Sequence, residues 1–228
     1  MKVKFLKTEI QIPFGNTHTH DQFLIKLLEV LPSTARVCEV GCYKGVFTKI
    51  MIEKFDPSLC HFYEGDKENY SRMKSQIGSL PNLYNIALYN KNEILKWYSA
   101  GAFSSLKMPI VDYHDRVADR YEVQTQTLDQ IGKPFDFIKI DAEGSDFNIL
   151  RGAKNLIQEN QPLLYFEFTG RIGGHVHGYS RQDFENFFDE MGYLVLNKQG
   201  NVLRGEHWRS DNGGMFNNLL ALPNNTAL

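Results

Sequence analysis

Cysteine is scarce in this chain of 228 residues. Cys38, Cys42 and Cys60 form no C-x-x-C pair, so neither a disulfide framework nor a zinc knuckle is expected, and buried reduced thiols are. An excess of one charge is lacking too: 25 Lys and Arg stand against 27 Asp and Glu, with no long run of either, which disfavours nucleic acid and a membrane surface as partners. No uninterrupted apolar run approaches the roughly 20 residues that span a bilayer, and Met1–Phe5 lacks the apolar heart of a leader peptide. These features point to a cytoplasmic protein. Internal repeats, low-complexity tracts and linkers are missing as well, which suggests a compact domain over residues 35–228 preceded by an N-terminal extension and helix over 1–34. The dinucleotide fingerprint G-x-G-x-x-G is also missing.

A different glycine turn is present. Arg36-Val37-Cys38-Glu39-Val40 is an apolar run ending in Gly41-Cys42-Tyr43-Lys44-Gly45, and the stretch from Val46 to Ile52 reads as a helix. Strand, tight turn and helix start together make half of a mononucleotide-binding unit, in which glycines let the backbone approach a ligand. Tyr43 leaves a pyrophosphate little room, which disfavours NAD. Glu39, two residues before Gly41, suits an ammonium group, such as the one that S-adenosylmethionine carries. The turn residues Gly41, Tyr43 and Gly45 are cofactor-binding candidates with Glu39.

Around that turn the chain alternates strands and helices. His20 to Leu31 is an amphipathic helix, and the preceding Thr17-His18-Thr19-His20 is either a metal pair or, more commonly, a polar lead into a helix. Cys60 to Tyr63 predicts a second strand, and Lys67 to Ile77 a helix. Between them Glu64 lies about 20 residues past the glycine turn, where a nucleotide-binding unit places the carboxylate that accepts ribose hydroxyls. A helix-capping role is the alternative for Glu64, and Asp66 suits it better. Leu83 to Leu88 predicts one short strand, Ile94 to Ser99 an edge strand, and Asp112 to Tyr121 an exposed insert.

The second informative stretch is Phe135 to Gly144, a buried-looking strand with Lys139 in its middle and Asp141 and Glu143 at its end. Alternation puts Phe137, Lys139 and Asp141 on one face. A lysine inside a central strand needs a carboxylate, either Asp141 or Glu167 of the strand Leu163–Phe168. Ser145 to Asn155 predicts one helix, and Ser180 to Met191 another. The glycine-rich loop from Gly170 to Tyr179 carries Arg171, His175 and His177, and such loops often meet substrate. Tyr193 to Leu196 and Asn218 to Leu222 predict closing strands.

Three blocks together resemble the FkbM family of S-adenosylmethionine-dependent methyltransferases. They are Glu39–Gly45, Phe62–Glu64, and Thr127–Asp129 followed by Ile138–Gly144 and Ile149–Ala153, within a match of about residues 35 to 169. The pattern departs at Tyr43, where the family usually carries asparagine, and at Gly65, where it carries proline. The resemblance implies an α/β, three-layer Rossmann-like class I methyltransferase fold, with a seven-stranded, mostly parallel sheet containing one antiparallel strand. It implies a hydroxyl acceptor, often on a sugar or other small metabolite, with Glu39 and Gly41 at the methionine end, Glu64 at the ribose and Asp141 near the sulfonium. Asp141, Glu143, His175 and His177 are candidate bases for such a reaction. A divalent ion at Asp141 is possible but not favoured, because no second acid has evident ligand spacing. A non-catalytic binding module and a nicotinamide oxidoreductase are the rival readings.

Overall fold

Val37–Val40 and Phe137–Ile140 are apolar at nearly every position, the mark of strands covered on both faces. In the computed structural model they are β3 (Val37–Val40) and β9 (Phe137–Ile140), adjacent and parallel at the centre of a seven-stranded sheet. The structure describes all residues except 16–18, 79, 108–118, 170–173, 175, 206–216 and 227–228.

Beside β3 lie β4 (Cys60–Tyr63) and then β5 (Leu83–Tyr84); beside β9 lie β10 (Leu163–Phe168), β12 (Asn217–Pro223) and β11 (Tyr193–Leu196). All pairings are parallel except those of β12, which runs antiparallel to both neighbours. The order therefore reverses between β3 and β9, and ligands of such sheets bind at the carboxyl ends on either side of that switch. Arg36 fixes the other end, donating from its backbone N and its guanidinium to Asp136.

Alternation along the strands divides the core into two layers. Cys38, Val40, Ile138, Ile140, Leu164 and Phe166 face α5 (Asp146–Arg151), α6 (Lys154–Asn160) and α7 (Arg181–Met191). Phe184 of α7 is fully enclosed there, with ring centroids 4.4 Å from Phe147 and 5.7 Å from Phe166. Val37, Phe137, Leu163 and Tyr165 face the other layer, made by α1 (His20–Val30), α2 (Val46–Lys54) and α3 (Lys67–Ile77). An N-terminal hairpin of β1 (Lys2–Phe5) and β2 (Thr8–Gln11), which no sequence pattern announced, packs Val3, Phe5 and Ile10 into the same layer.

Helix boundaries follow side-chain caps. Thr19 and Gln22 form a capping box at α1, Asp66 accepts the Glu68 and Asn69 N–H groups at α3, and Ser180 with Asp183 opens α7. Asp66 thus takes the capping role in preference to Glu64.

Several sequence expectations need correction. Leu83–Leu88 is not one strand: Asn85 donates to the carbonyls of Glu64 and Gly65, which turns the chain out of the large sheet after β5. β6 (Ala87–Leu88) then joins β8 (Asp119–Gln126) and β7 (Ile94–Ser99) in a separate three-stranded sheet. Asp119–Tyr121, expected in an exposed insert, is the start of β8, and residues 112–118 lie outside the described ones. The helix expected over Ser145–Asn155 is two, α5 and α6. They are divided at Gly152, where a Cβ would overlap the Tyr89 carbonyl oxygen, and Asp129 of the short helix α4 (Leu128–Ile131) accepts the Asn155 and Leu156 N–H groups to start α6.

Candidate functional site

The turns after β3 and β9 have matching shapes. Each strand is followed by two residues, a tight turn and a helix, and in each turn a non-glycine residue adopts positive φ: Tyr43 at 48° and Glu143 at 49°. The two turns meet at Gly41, whose φ is 79° and whose absent Cβ would overlap the Asp141 carbonyl oxygen. Glycine is required there twice over, by conformation and by contact.

Beneath the turns sits a buried charge pair. Glu39 and Lys139 are directly paired in the parallel register, with Nζ 3.4 Å from Glu39 Oε1 and 3.4 Å from Asp141 Oδ2. Lys139 also donates to the Gly41 carbonyl at 3.2 Å. Burial works against the ammonium, but the carboxylates of Asp141 and Glu39 more than offset it, so its pKa is raised and it stays charged. Thr48 Oγ1 donates to Glu39 Oε2 at 2.6 Å, and Glu39 is wholly enclosed. Burial pushes the Glu39 carboxyl up, while Lys139 and Thr48 pull it down. The sequence expectation of Asp141 or Glu167 as lysine partner is half right: Asp141 is a partner, the other is Glu39, and no ion pair joins Glu167 to Lys139 among the described residues.

A cavity of about 690 Å³, measured to its open mouth, lies over these strand ends. Gly41, Tyr43, Glu64 and Asp141 all line it, together with Glu143 and Ser145. Glu64 is 4% exposed and grips the glycine turn: Oε2 accepts the N–H groups of Cys42 and Tyr43 at 3.1 and 2.8 Å, and Oε1 accepts that of Asp66 at 2.8 Å. Burial pushes its carboxyl up to about 7 against those three donors. Glu39 and Gly45 do not reach the cavity wall; a Cβ on Gly45 would strike Ile77 and Met73 of α3.

Behind the wall made by Glu143 and Ser145 lies a further acid. Asp146 is fully buried, with Oδ2 accepting from the Gly144 N–H and Oδ1 from that of Glu167, both at 3.2 Å. Burial, reinforced by Asp141, raises Asp146 to about 7, and burial with Asp141 and Asp146 raises Glu143 to about 8. His177 is buried behind this segment, its Nδ1 3.5 Å from Ser145 Oγ. Burial and Lys107 lower its pKa to about 4, so it is neutral at ordinary pH. His175 and Arg171 lie outside the described residues, as does His18 of the possible metal pair.

The sequence did not single out Trp97, Asn69 or Ser104, which also line the cavity. Trp97 comes from the three-stranded sheet, donates from Nε1 to Asp66 at 3.0 Å, and lays its six-membered ring where a side chain on residue 65 would stand. Glycine at that position is thereby explained.

The Methyltransferase FkbM domain model matches residues 39–195. Among solved structures, the chain is similar to the methyltransferase FkbM from Methylobacillus flagellatus KT, with a TM-score of 0.52 and 15% identity over 83% of this chain and 44% of that one. It is also similar to the CurJ carbon methyltransferase (TM-score 0.45, 12% identity, 88% of this chain and 52% of that one). The putative methyltransferase yhhF from Escherichia coli gives a TM-score of 0.46 at 9% identity, covering 98% of each chain. The chain thus spans less than half the length of the first of these and about half that of the second. No curated protein gives a significant match.

Proposed function

The chain belongs to the FkbM methyltransferase family, and from that premise we propose that it is an O-methyltransferase that methylates a hydroxyl group of a sugar, glycan or other small metabolite. The family implies S-adenosylmethionine as methyl donor. The observation that carries the reading is that Glu64, a carboxylate suited to a ribose, shares one cavity with the strand-end acids Asp141 and Glu143. Donor and acceptor ends of a single reaction would then occupy one cavity.

The residues present suit the donor. A carboxylate offers about four lone-pair sites, and Glu64 uses three on backbone N–H groups, which leaves capacity for a ribose hydroxyl. Gly41 and Tyr43 form the adjoining wall, toward the methionine end. Glu39 is enclosed, so its part is to hold Lys139, which in turn holds Asp141 and the Gly41 carbonyl.

When bound, S-adenosylmethionine supplies an electrophilic methyl group on a sulfonium. Alignment of an acceptor oxygen against that group is the larger task, with effective molarities on the order of 10⁵ to 10⁸ M, and a general base adds roughly 10² to 10⁴. Asp141 is the base this reading favours, since it lines the cavity and is positioned by Lys139. Neutral His177, beside Ser145, is the second candidate. The balanced charge argues for a small-molecule acceptor over nucleic acid. Three free, buried thiols fit a reducing cytoplasm.

Titration calorimetry with S-adenosylhomocysteine and NAD, followed by labelled methyl transfer to a panel of sugars, glycans and small hydroxylated metabolites, tests the proposal. Binding of the homocysteine compound alone, with label on an acceptor oxygen, is the expected result. Preference for NAD would restore the oxidoreductase reading, and binding without transfer to any acceptor would favour a binding module.

A further inference from the structure

Asp141 and Glu143 follow β9, and Glu167 lies near the end of the neighbouring β10. One carboxylate oxygen from each falls within 4.8 Å of the other two. A cluster of acids is common on protein surfaces, but this one contains a group that has no use for its burial. Glu167 as a residue is partly exposed along β10, yet its carboxyl end is buried in the cluster, and Oε2 has no hydrogen-bond partner among the described residues. Burying an unpartnered carboxylate oxygen beside two other acids is unfavourable unless a proton or a cation neutralises the group, and a divalent cation can serve all three acids at once. Lys139 is not that cation for Glu167: it lies against Glu39, Asp141 and the Gly41 carbonyl. Asp146 is occupied by two backbone N–H groups, one of them that of Glu167, and so braces the site.

We propose that Asp141, Glu143 and Glu167 bind one divalent cation. Among the described residues the donors are all carboxylate oxygens, with neither histidine nor cysteine in the group, which selects a hard ion such as Mg²⁺, Mn²⁺ or Ca²⁺ over zinc or copper. Asp141 and Glu143 also line the cavity, so the ion's remaining coordination positions face it. The ion would there hold the acceptor hydroxyl and make it easier to deprotonate. That role rests on the methyl-transfer reading; the binding of the ion does not.

The test is a titration of the full chain with Mn²⁺, followed by the electron paramagnetic resonance signal of the free ion, with no methyl donor present. Wild type is expected to show one saturable site, from which Mg²⁺ or Ca²⁺ displaces Mn²⁺. Glu167→Gln and Glu143→Gln are each expected to weaken it at least tenfold while keeping a native near-ultraviolet circular dichroism spectrum. Glu190→Gln, at an exposed acid paired with Lys154, should leave it unchanged. In wild type, Mn²⁺ should also raise the melting temperature and EDTA should reverse the rise, a readout that needs no variant. Absence of saturable binding at millimolar Mn²⁺, or full-affinity binding in both glutamine variants, overturns the proposal. S-adenosylhomocysteine is titrated separately into the same protein: Mn²⁺ binding without it sinks the methyl-transfer reading and leaves the ion, and the reverse sinks only the ion.

Discussion

Glu39 and Lys139 stand at the same level of adjacent parallel strands and meet at 3.4 Å in an almost water-free layer. The strands come from opposite halves of the sheet, so the pair joins the glycine turn to the acid-bearing turn. Removing one partner of such a pair leaves a buried charge uncompensated, at a cost of about 3 to 5 kcal/mol. Glu39→Ala is therefore expected to lower the unfolding free energy by about 3 kcal/mol in urea titrations. Asp141→Ala should cost less, because the Asp141 side chain is 35% exposed and water can replace it. A larger loss in Asp141→Ala than in Glu39→Ala would show that Asp141, not Glu39, is the principal partner.

That pair marks where sequence reading stopped. Lys139 plainly needed a carboxylate, but which one depends on the register between strands a hundred residues apart, which no local pattern encodes. The same limit hid the approach of Glu167 to Asp141 and Glu143, and the arrival of Trp97 from a separate sheet against Gly65. What could be read was local: the turn at Gly41–Gly45, the strand-end acids, and helices begun by Thr19, Asp66 and Ser180. Local signals failed where one side chain overrode them, as Asn85 does in turning the chain out of the sheet. Thr127–Asp129 and Ile149–Ala153, far apart in sequence, are joined in the structure: Asp129 caps α6 and its N–H donates to the Gly152 carbonyl.

Glu64 ties three backbone N–H groups of the glycine turn and the α3 start to β4. Glu64→Gln keeps the shape, loses the charge and puts a donor where only acceptors fit. S-adenosylhomocysteine affinity should fall by about 1.5 to 3 kcal/mol, the range for hydrogen bonds to a charged group. Calorimetry reads this directly. Unchanged affinity would confine Glu64 to bracing the turn.

Gly41→Ala is expected to be among the most damaging single-methyl changes in the chain. The left-handed conformation alone costs roughly 1 to 2 kcal/mol for a residue with a Cβ, and the added carbon would overlap the Asp141 carbonyl oxygen. A drop in melting temperature well beyond 5 °C, at about 2 to 4 °C per kcal/mol for a chain of this size, is the expected outcome. A smaller drop would mean that the two turns can separate.

The acids around the cavity make stability depend on pH in an unusual direction. Glu143 is held up to about 8, and Glu64 and Asp146 to about 7, chiefly by burial. Between pH 6.5 and 8.5 the unfolded chain has these carboxyls fully ionised, whereas the folded chain still binds protons. Stability present at low pH is therefore lost as pH rises through those folded values. His177, neutral in the folded state above about 4, adds little in this window. Urea midpoints in EDTA should fall from pH 6.5 to 8.5, and Glu143→Gln should flatten the upper part of that slope. A midpoint that rises with pH would contradict the burial of these groups.

Asp141 decides between positioning and chemistry. It directly follows β9 at the switch point of the sheet, lines the cavity, and is held 3.4 Å from Lys139. Asp141→Asn preserves shape and removes the charge. If Asp141 takes the acceptor proton, or ligates an ion that does part of that work, S-adenosylhomocysteine affinity should survive while turnover falls by roughly 10² or more. Calorimetry and labelled-methyl kinetics on one preparation separate the two quantities. Chelation then separates the mechanisms: if wild-type turnover is abolished by EDTA and restored by Mg²⁺, Asp141 acts through an ion. Turnover indifferent to EDTA would leave Asp141 as the base itself. Unchanged turnover with weakened affinity would instead make Asp141 part of the donor site and pass the proton to His177, the described residue beside Ser145 that is already neutral.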